Sequence, residues 1–191
     1  MNLHQSQAPA PLLTNHLPRL SKGKALDIAT GYGRNAFYLA EQGYDVEGID
    51  IDEEAVRFCN AEAKKRKLSF VANRSDLEKG PFVKDAGYSL ISCFYYLDRK
   101  IIPDIRSALR VGGVIVYETF LIDQHERYGK PSRKAFCWGH NELLQSFSAF
   151  RIHYYHEGMI LPSADPTREK GQEGSNREGR WVAQLVAEKT S

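Results

Sequence analysis

From Ala25 onward, short runs rich in β-branched residues alternate with longer stretches whose apolar positions recur at helical spacing. That alternation predicts strands and helices taking turns around a parallel sheet. Ala25 to Ala29 reads as the first strand, and it ends in glycines. Arg34 to Gln42 follows as a helix with Ala36, Phe37, Leu39 and Ala40 at its apolar positions and Gly43 as its stop. Asp45 to Asp50 is the second strand. Asp52, Glu53 and Glu54 then open a helix, with Asp52 as its cap, that closes on Lys64, Lys65, Arg66 and Lys67. This order of charges suits the helix dipole, so the lysine run needs no nucleic acid to explain it.

Leu68 to Ala72 predicts a third strand and Tyr88 to Tyr96 a fourth. The next helix covers Arg99 to Leu109, with Ile101, Ile105 and Leu109 on one face and Gly112 and Gly113 ending it. Pro103 requires that it start near Ile102 or open on an irregular turn. Val114 to Phe120 is the fifth strand. Leu121 to Gly139 is polar, aromatic and basic, too long for a plain connector, and reads as a substrate lid. Asn141 to Ser148 predicts a short helix, and Phe150 to His156 and Trp181 to Lys189 the last two strands, joined through a mobile hairpin loop over Pro162 to Gly179. Period-two alternation puts His153 and Tyr155 on one face and His156 on the other, against a shared metal site, with Tyr154 in the core. The expected fold is α/β: a Rossmann-like, doubly wound, seven-stranded sheet, mostly parallel, with an antiparallel C-terminal hairpin strand and an N-terminal arm over residues 1–23.

At 191 residues the chain is expected to form one domain. A hydrophobic share of 42% and a charged share of 26% are ordinary for a globular protein. A net charge of +2 gives no electrostatic footprint for nucleic acid or a membrane surface. No stretch has the run of roughly 20 apolar residues that a membrane span needs. The opening MNLHQSQAPAPLL lacks the cationic start and apolar run of a signal peptide, so the expected location is the cytoplasm. Cys59, Cys93 and Cys137 are odd in number with no CxxC pair, which disfavours a disulfide framework or a zinc site and makes them small core residues.

The most informative stretch is Leu26-Asp27-Ile28-Ala29-Thr30-Gly31-Tyr32-Gly33-Arg34-Asn35-Ala36. A strand runs through a tight glycine turn into a helix, so a ligand can approach the backbone and meet free N–H groups. As GYGRNA it also fits the dinucleotide pattern, with Asp50 near the place of a ribose-gripping acid. Asp27 discriminates: a carboxylate at the loop repels a pyrophosphate and attracts an ammonium group. S-adenosylmethionine carries such an amine and a ribose, and its adenine amine needs an acceptor that Asp76 could supply after the third strand. A carboxylate between Leu26 and Ile28 is also costly without a partner, which favours a ligand there.

With these motifs, Ala25 to about Phe120 resembles the class I S-adenosylmethionine-dependent methyltransferases, and GRNA…LA…GYDVEGID resembles the tellurite-resistance methyltransferase family in particular. The resemblance implies the amino-acid part of the cofactor beside Asp27, Ala29 and Gly31, its ribose at Asp50 and its adenine at Ile51, Asp76 and Leu77. Thr30, Gly33, Arg34, Asn35 and Phe94 join these as cofactor-side candidates, with Arg34 and Asn35 as residues that orient the loop. Ala29 stands where the family more often has glycine.

In this fold the methyl acceptor meets the carboxyl ends of the fourth and fifth strands and the loops after them. That makes Tyr95, Tyr96, Tyr117 and Glu118 acceptor-side candidates, together with His125, Arg127 and Arg133 of the lid. The fourth strand ends in SCFYYLD, without the Asn/Asp-Pro-Pro-aromatic motif of base and amide N-methyltransferases. The expected acceptor is therefore a small molecule. The basic excess of the lid suits an anion such as an oxyanion, although charge on a solvent-facing loop explains it as well. Two other readings stay open: a nucleotide-dependent oxidoreductase, and a cofactor-binding protein that has lost turnover.

Overall fold

The computed structural model describes residues 8–80, 87–161 and 179–191. Among these residues seven strands make one sheet: β1 (Lys24–Ile28), β2 (Asp45–Asp50), β3 (Phe70–Arg74), β4 (Tyr88–Phe94), β5 (Leu109–Phe120), β6 (Arg151–Ile160) and β7 (Arg180–Glu188). Their spatial order is β3-β2-β1-β4-β5-β7-β6. The pairs from β3 to β5 are parallel, and β7 runs antiparallel to both β5 and β6. Chain order reverses between β1 and β4, which opens a crevice at the carboxyl ends of those two strands.

Among the described residues six α-helices flank the sheet: α1 (Pro11–His16), α2 (Arg34–Glu41), α3 (Glu53–Arg66), α4 (Ile102–Ala108), α5 (Ile122–Tyr128) and α6 (Glu142–Ser146). All seven positions of β4 are buried, as a strand at the centre of a covered sheet requires. Successive side chains pass to opposite faces, and each face has its own core. Leu26, Ile91, Ile115 and Tyr117 pack with α4, α6 and Trp138, while Ala25, Leu90, Val114 and Val116 pack with α1, α2 and α3. Asp52 caps α3, accepting from the N–H groups of Glu54 at 2.9 Å and Ala55 at 3.3 Å.

Several expectations need correction. The N-terminal segment contributes to the core, because α1 and the turn after it bury Leu12, Leu13 and Leu17. Its PLLTNHL run is too short to carry a helical period visible in sequence. The third strand lies two residues later than its apolar run suggested, since pairing with Val46 to Asp50 places it at Phe70–Arg74. Pro103 sits in the first turn of α4, behind a 3-10 turn over Arg99–Ile101. Gly112 and Gly113 lie within β5, where its register against β4 shifts. A Cβ on Gly113 would stand 2.6 Å from the Tyr88 carbonyl oxygen, so this close approach requires glycine. A second irregularity, between Ile152 and Tyr154, breaks the alternation assumed for β6. Tyr154 consequently packs on the α1 face and Tyr155 on the other, with His153 exposed beside Glu188 at 2.9 Å.

The expected lid is a folded excursion. It contains α5, which buries none of its residues, and a 3-10 turn over Lys134–Phe136. Both its ends are pinned: the Trp138 N–H donates to the Phe120 carbonyl at 2.9 Å, and the Ile122 N–H to the Trp138 carbonyl at 2.8 Å. Arg99 pairs with Glu142 and also donates to the carbonyls of Ala135 and Cys137. The expected hairpin loop, apart from Gly179, lies outside the described residues. Among the described residues, no helix is long and apolar enough to cross a membrane.

Candidate functional site

The site is built where β1 turns into α2. Ala29, Gly31 and Gly33 all have left-handed φ, at +53°, +51° and +80°. The turn is held from below by the Thr30 N–H, which donates to the Ile49 carbonyl at 3.0 Å, and by the Cys59 thiol, which donates to the Gly31 carbonyl at 3.3 Å. The two glycines serve different ends. A Cβ on Gly33 would meet Cys59 Sγ and Phe37 at 2.9 Å, whereas one on Gly31 would meet nothing within 4 Å. Gly33 lets the loop pack on the protein; Gly31 presents bare backbone to open space.

Asp27 lies beneath this turn, 2% exposed. Its Oδ2 accepts from the Thr30 hydroxyl at 2.7 Å and its Oδ1 from the Ser92 hydroxyl at 2.5 Å. The partner that sequence reasoning required for this acid is therefore present within the protein. Burial pushes its carboxyl up to about 6, even though both hydroxyls and the nearby Arg34 charge pull it down. Asp50, at the end of β2, reaches across to the turn and accepts from the Gly31 N–H at 2.7 Å and the Asp52 N–H at 2.9 Å. Ile51 follows with its apolar side chain 58% exposed. It lines an open hollow of about 270 Å³ with Arg74, Ser75, Asp76 and Lys79. Asp76 is held by the Glu78 N–H at 3.1 Å and the Lys79 ammonium at 3.0 Å, and these donors set its carboxyl below the usual range.

Thus Ala29, Thr30, Gly31, Asp50, Ile51 and Asp76 follow one another along the carboxyl ends of β1, β2 and β3, with Asp27 and Gly33 as support. Other candidates lie elsewhere. Leu77 is 7% and Phe94 8% exposed, each within a core cluster. Asn35 turns its Oδ1 to the Ala10 N–H at 2.9 Å and so fastens the N-terminal segment to α2. On the acceptor side, Tyr117 is fully buried and donates its hydroxyl to the Tyr96 carbonyl at 2.7 Å, bracing the end of β4 from the core. Glu118 is also buried, and accepts from the Gln184 amide at 2.7 Å. Tyr95 follows β4 at a left-handed φ of +56° and is partly exposed, as is Tyr96, whose hydroxyl has no hydrogen-bond partner among the described residues.

In the excursion, His125 Nδ1 is 2.7 Å from the Pro131 carbonyl, the Arg127 guanidinium lies 4.5 Å over the Trp181 ring, and Arg133 lies 5.9 Å over Phe136. These three therefore have partners within or beside the excursion. Sequence reasoning missed Ser92, Cys59, Gln184 and Arg180. Gln184 left a usable signal, as the one polar residue in the apolar run from Trp181 to Ala187, whereas Ser92 is one of two serines in β4.

A family model for the tellurite resistance protein TehB matches residues 13–171. The chain belongs to the TehB family. The TehB protein of Haemophilus influenzae, described as a probable S-adenosyl-L-methionine-dependent methyltransferase, is 26% identical over 176 residues, covering 89% of this chain and 58% of its own length. The crystal structure of TehB from Haemophilus influenzae has a TM-score of 0.78 at 24% identity, covering 93% of this chain and 61% of that one. A geranyl diphosphate C-methyltransferase from Streptomyces coelicolor A3(2), solved with Mg2+, geranyl diphosphate and S-adenosyl-L-homocysteine, shares the fold at a TM-score of 0.66 and 17% identity, covering 93% of this chain and 79% of that one. This TehB-family chain thus spans less than two thirds of the length of its Haemophilus relative. Its turn, with Ala29 at a φ of +53°, keeps the left-handed backbone at a cost of about 1 kcal/mol.

Proposed function

We propose that this protein transfers a methyl group from S-adenosylmethionine to a small anionic acceptor, an oxyanion of the tellurite kind. One observation carries the cofactor reading: Gly31 offers open backbone between an acid below the turn, Asp27, and an acid at its rim, Asp50. Membership of the TehB family and the methyltransferase relatives support the same reading.

The residues present fit that cofactor. Asp50 uses two carboxylate lone pairs on backbone N–H groups and keeps others for ribose hydroxyls. Ile51 offers an apolar face and Asp76 an acceptor to an adenine ring in the hollow that they share. Asp27 is too deep for direct contact and acts on the amino-acid end as a charge beneath Thr30 and Gly31. S-adenosylmethionine supplies an electrophilic methyl group on a sulfonium. In-line displacement of this kind gains most from alignment and exclusion of water, the share that falls to the turn and to the excursion after β5. An anionic acceptor needs no general base.

The test has two steps. Titration calorimetry of the full chain with S-adenosylhomocysteine is expected to show one saturable site, and mixing with NADH to show none. Incubation with S-adenosylmethionine and tellurite or selenite is then expected to release S-adenosylhomocysteine. Absence of cofactor binding refutes the whole reading; cofactor binding without turnover on either anion refutes the acceptor.

A further inference from the structure

Glu118 is an acid 3% exposed near the end of β5, and it forms no ion pair among the described residues. Its donors are neutral. Gln184 Nε2 donates to Glu118 Oε2 at 2.7 Å, and Gln184 Oε1 in turn accepts from the Tyr154 hydroxyl at 3.1 Å. The Tyr95 hydroxyl lies beside this carboxylate: burial and the Glu118 charge push the phenol up to about 12, and the Tyr95 N–H donates to the Glu118 carbonyl at 2.8 Å. A buried carboxylate without a counter-charge costs several kcal/mol unless its lone pairs are filled; here Gln184 of β7 fills one, backed in relay by Tyr154 of β6, with the Tyr95 phenol alongside just past β4.

What this arrangement fixes is Tyr95. The residue sits at a strained φ of +56° where β4 ends, a conformation that persists only when its surroundings determine it. Its ring also lies near two cations. The Arg34 guanidinium is 5.9 Å and the Arg180 guanidinium 5.7 Å from its centroid, and Arg180 Nη1 is 3.5 Å from its hydroxyl oxygen. Arg34 opens α2 directly after the glycine turn, and Arg180 opens β7. Neither is paired with a carboxylate among the described residues. Two guanidiniums from distant parts of the chain thus converge on one aromatic ring beside the crevice, with their forked donors uncommitted to an acid.

We infer that Glu118, together with Gln184, is a positioning residue that aims Tyr95, so that Tyr95 holds Arg34 and Arg180 as a two-armed clamp for an anionic acceptor. This rests on the acceptor reading above and names the side chains that would carry it. Glu118 touches no substrate; it acts through the phenol. The Tyr95 hydroxyl gives its proton to Glu118 and so presents a lone pair to Arg180. Glu118→Gln keeps the volume, but its amide, with its oxygen engaged by Gln184, donates toward the phenol. The phenol is then left with two donors and no acceptor for its own proton, and Arg180 loses its place.

The experiment is selenite titration into the full chain saturated with S-adenosylhomocysteine, with methyl transfer to selenite measured in parallel. Wild type is expected to bind one selenite. Arg180→Ala weakens it by about tenfold or more, the loss of a hydrogen bond to a charged group, and Arg180→Lys recovers part of it. Glu118→Gln and Tyr95→Phe each weaken selenite by about three- to tenfold with S-adenosylhomocysteine affinity unchanged. In an Arg180→Ala background Glu118→Gln has no further effect, an outcome that a merely structural role would not give. Selenite binding unchanged in both Glu118→Gln and Tyr95→Phe, additive effects with Arg180→Ala, or no selenite binding by the loaded wild type would overturn the inference. Selenite binding without methyl transfer leaves the clamp standing and removes the acceptor assignment, whereas methyl transfer to a neutral acceptor with no anion binding removes the clamp alone.

Discussion

Asp27 offers the most demanding test of the site. Its carboxyl titrates at about 6 in the folded chain, against an ordinary 3.8, because burial outweighs the two hydroxyls that bond it. A folded pKa raised above the unfolded one means that the native state holds the proton more tightly. Its contribution to stability is therefore greatest below 3.8, falls as pH rises to about 6, and is a constant cost beyond. The shift corresponds to about 3 kcal/mol. Asp27→Asn, which carries no ionisable group, should lack this slope: in urea unfolding, wild type should lose about 2 kcal/mol relative to the variant between pH 4 and pH 7. Cofactor binding should show the opposite sign. An α-amino group stays protonated below about 7.7, so between pH 5 and 7 the amine is constant while Asp27 gains its charge. If the charged form is the one that binds, S-adenosylhomocysteine affinity in calorimetry should rise by about tenfold from pH 5 to pH 7, and the rise should vanish in Asp27→Asn. Wild-type affinity flat across that window, or the same slope in the variant, would refute the electrostatic role of Asp27.

The two glycines of the turn should separate binding from folding. Gly31→Ala places a methyl group in open space at a φ of +51°, so it should cost about 1 kcal/mol in unfolding yet abolish S-adenosylhomocysteine binding. Gly33→Ala drives its Cβ to 2.9 Å from Cys59 Sγ and Phe37, and should lower the melting temperature well beyond the Gly31 variant. Ala29→Gly relieves left-handed strain but frees the unfolded chain, so its stability should stay within about 1 kcal/mol of wild type. Arg99→Ala removes the Glu142 pair and the donors to Ala135 and Cys137, and should raise hydrogen exchange across the excursion before any global loss of stability is seen.

Much of this was legible in the chain, for physical reasons. The strands from β1 to β5 are marked by β-branched runs between turn residues, and Asp27, Asp50 and Asp76 stand at strand ends that topology brings to one edge. What escaped depends on pairing that local pattern does not encode. Gly112 and Gly113 look like a helix stop, yet contact with Tyr88 makes them a strand irregularity. Tyr117 looks like a crevice residue by its place near a strand end, but its side of the sheet puts it in the core with its hydroxyl on Tyr96. Ser92 and Gln184 carry no motif; their roles exist only because β4 lies beside β1 and β7 beside β5.

The insertion of β7 between β5 and β6 bears on how the chain assembles during synthesis. When the ribosome has released β6, that strand is unpaired and β5 is paired only on its β4 side, so both present unsatisfied amide edges until β7 emerges. Final closure is therefore a late, all-at-once event. Substitutions that slow the docking of Val182 to Val186 should raise aggregation of newly made chains more than they lower the equilibrium stability of molecules already folded.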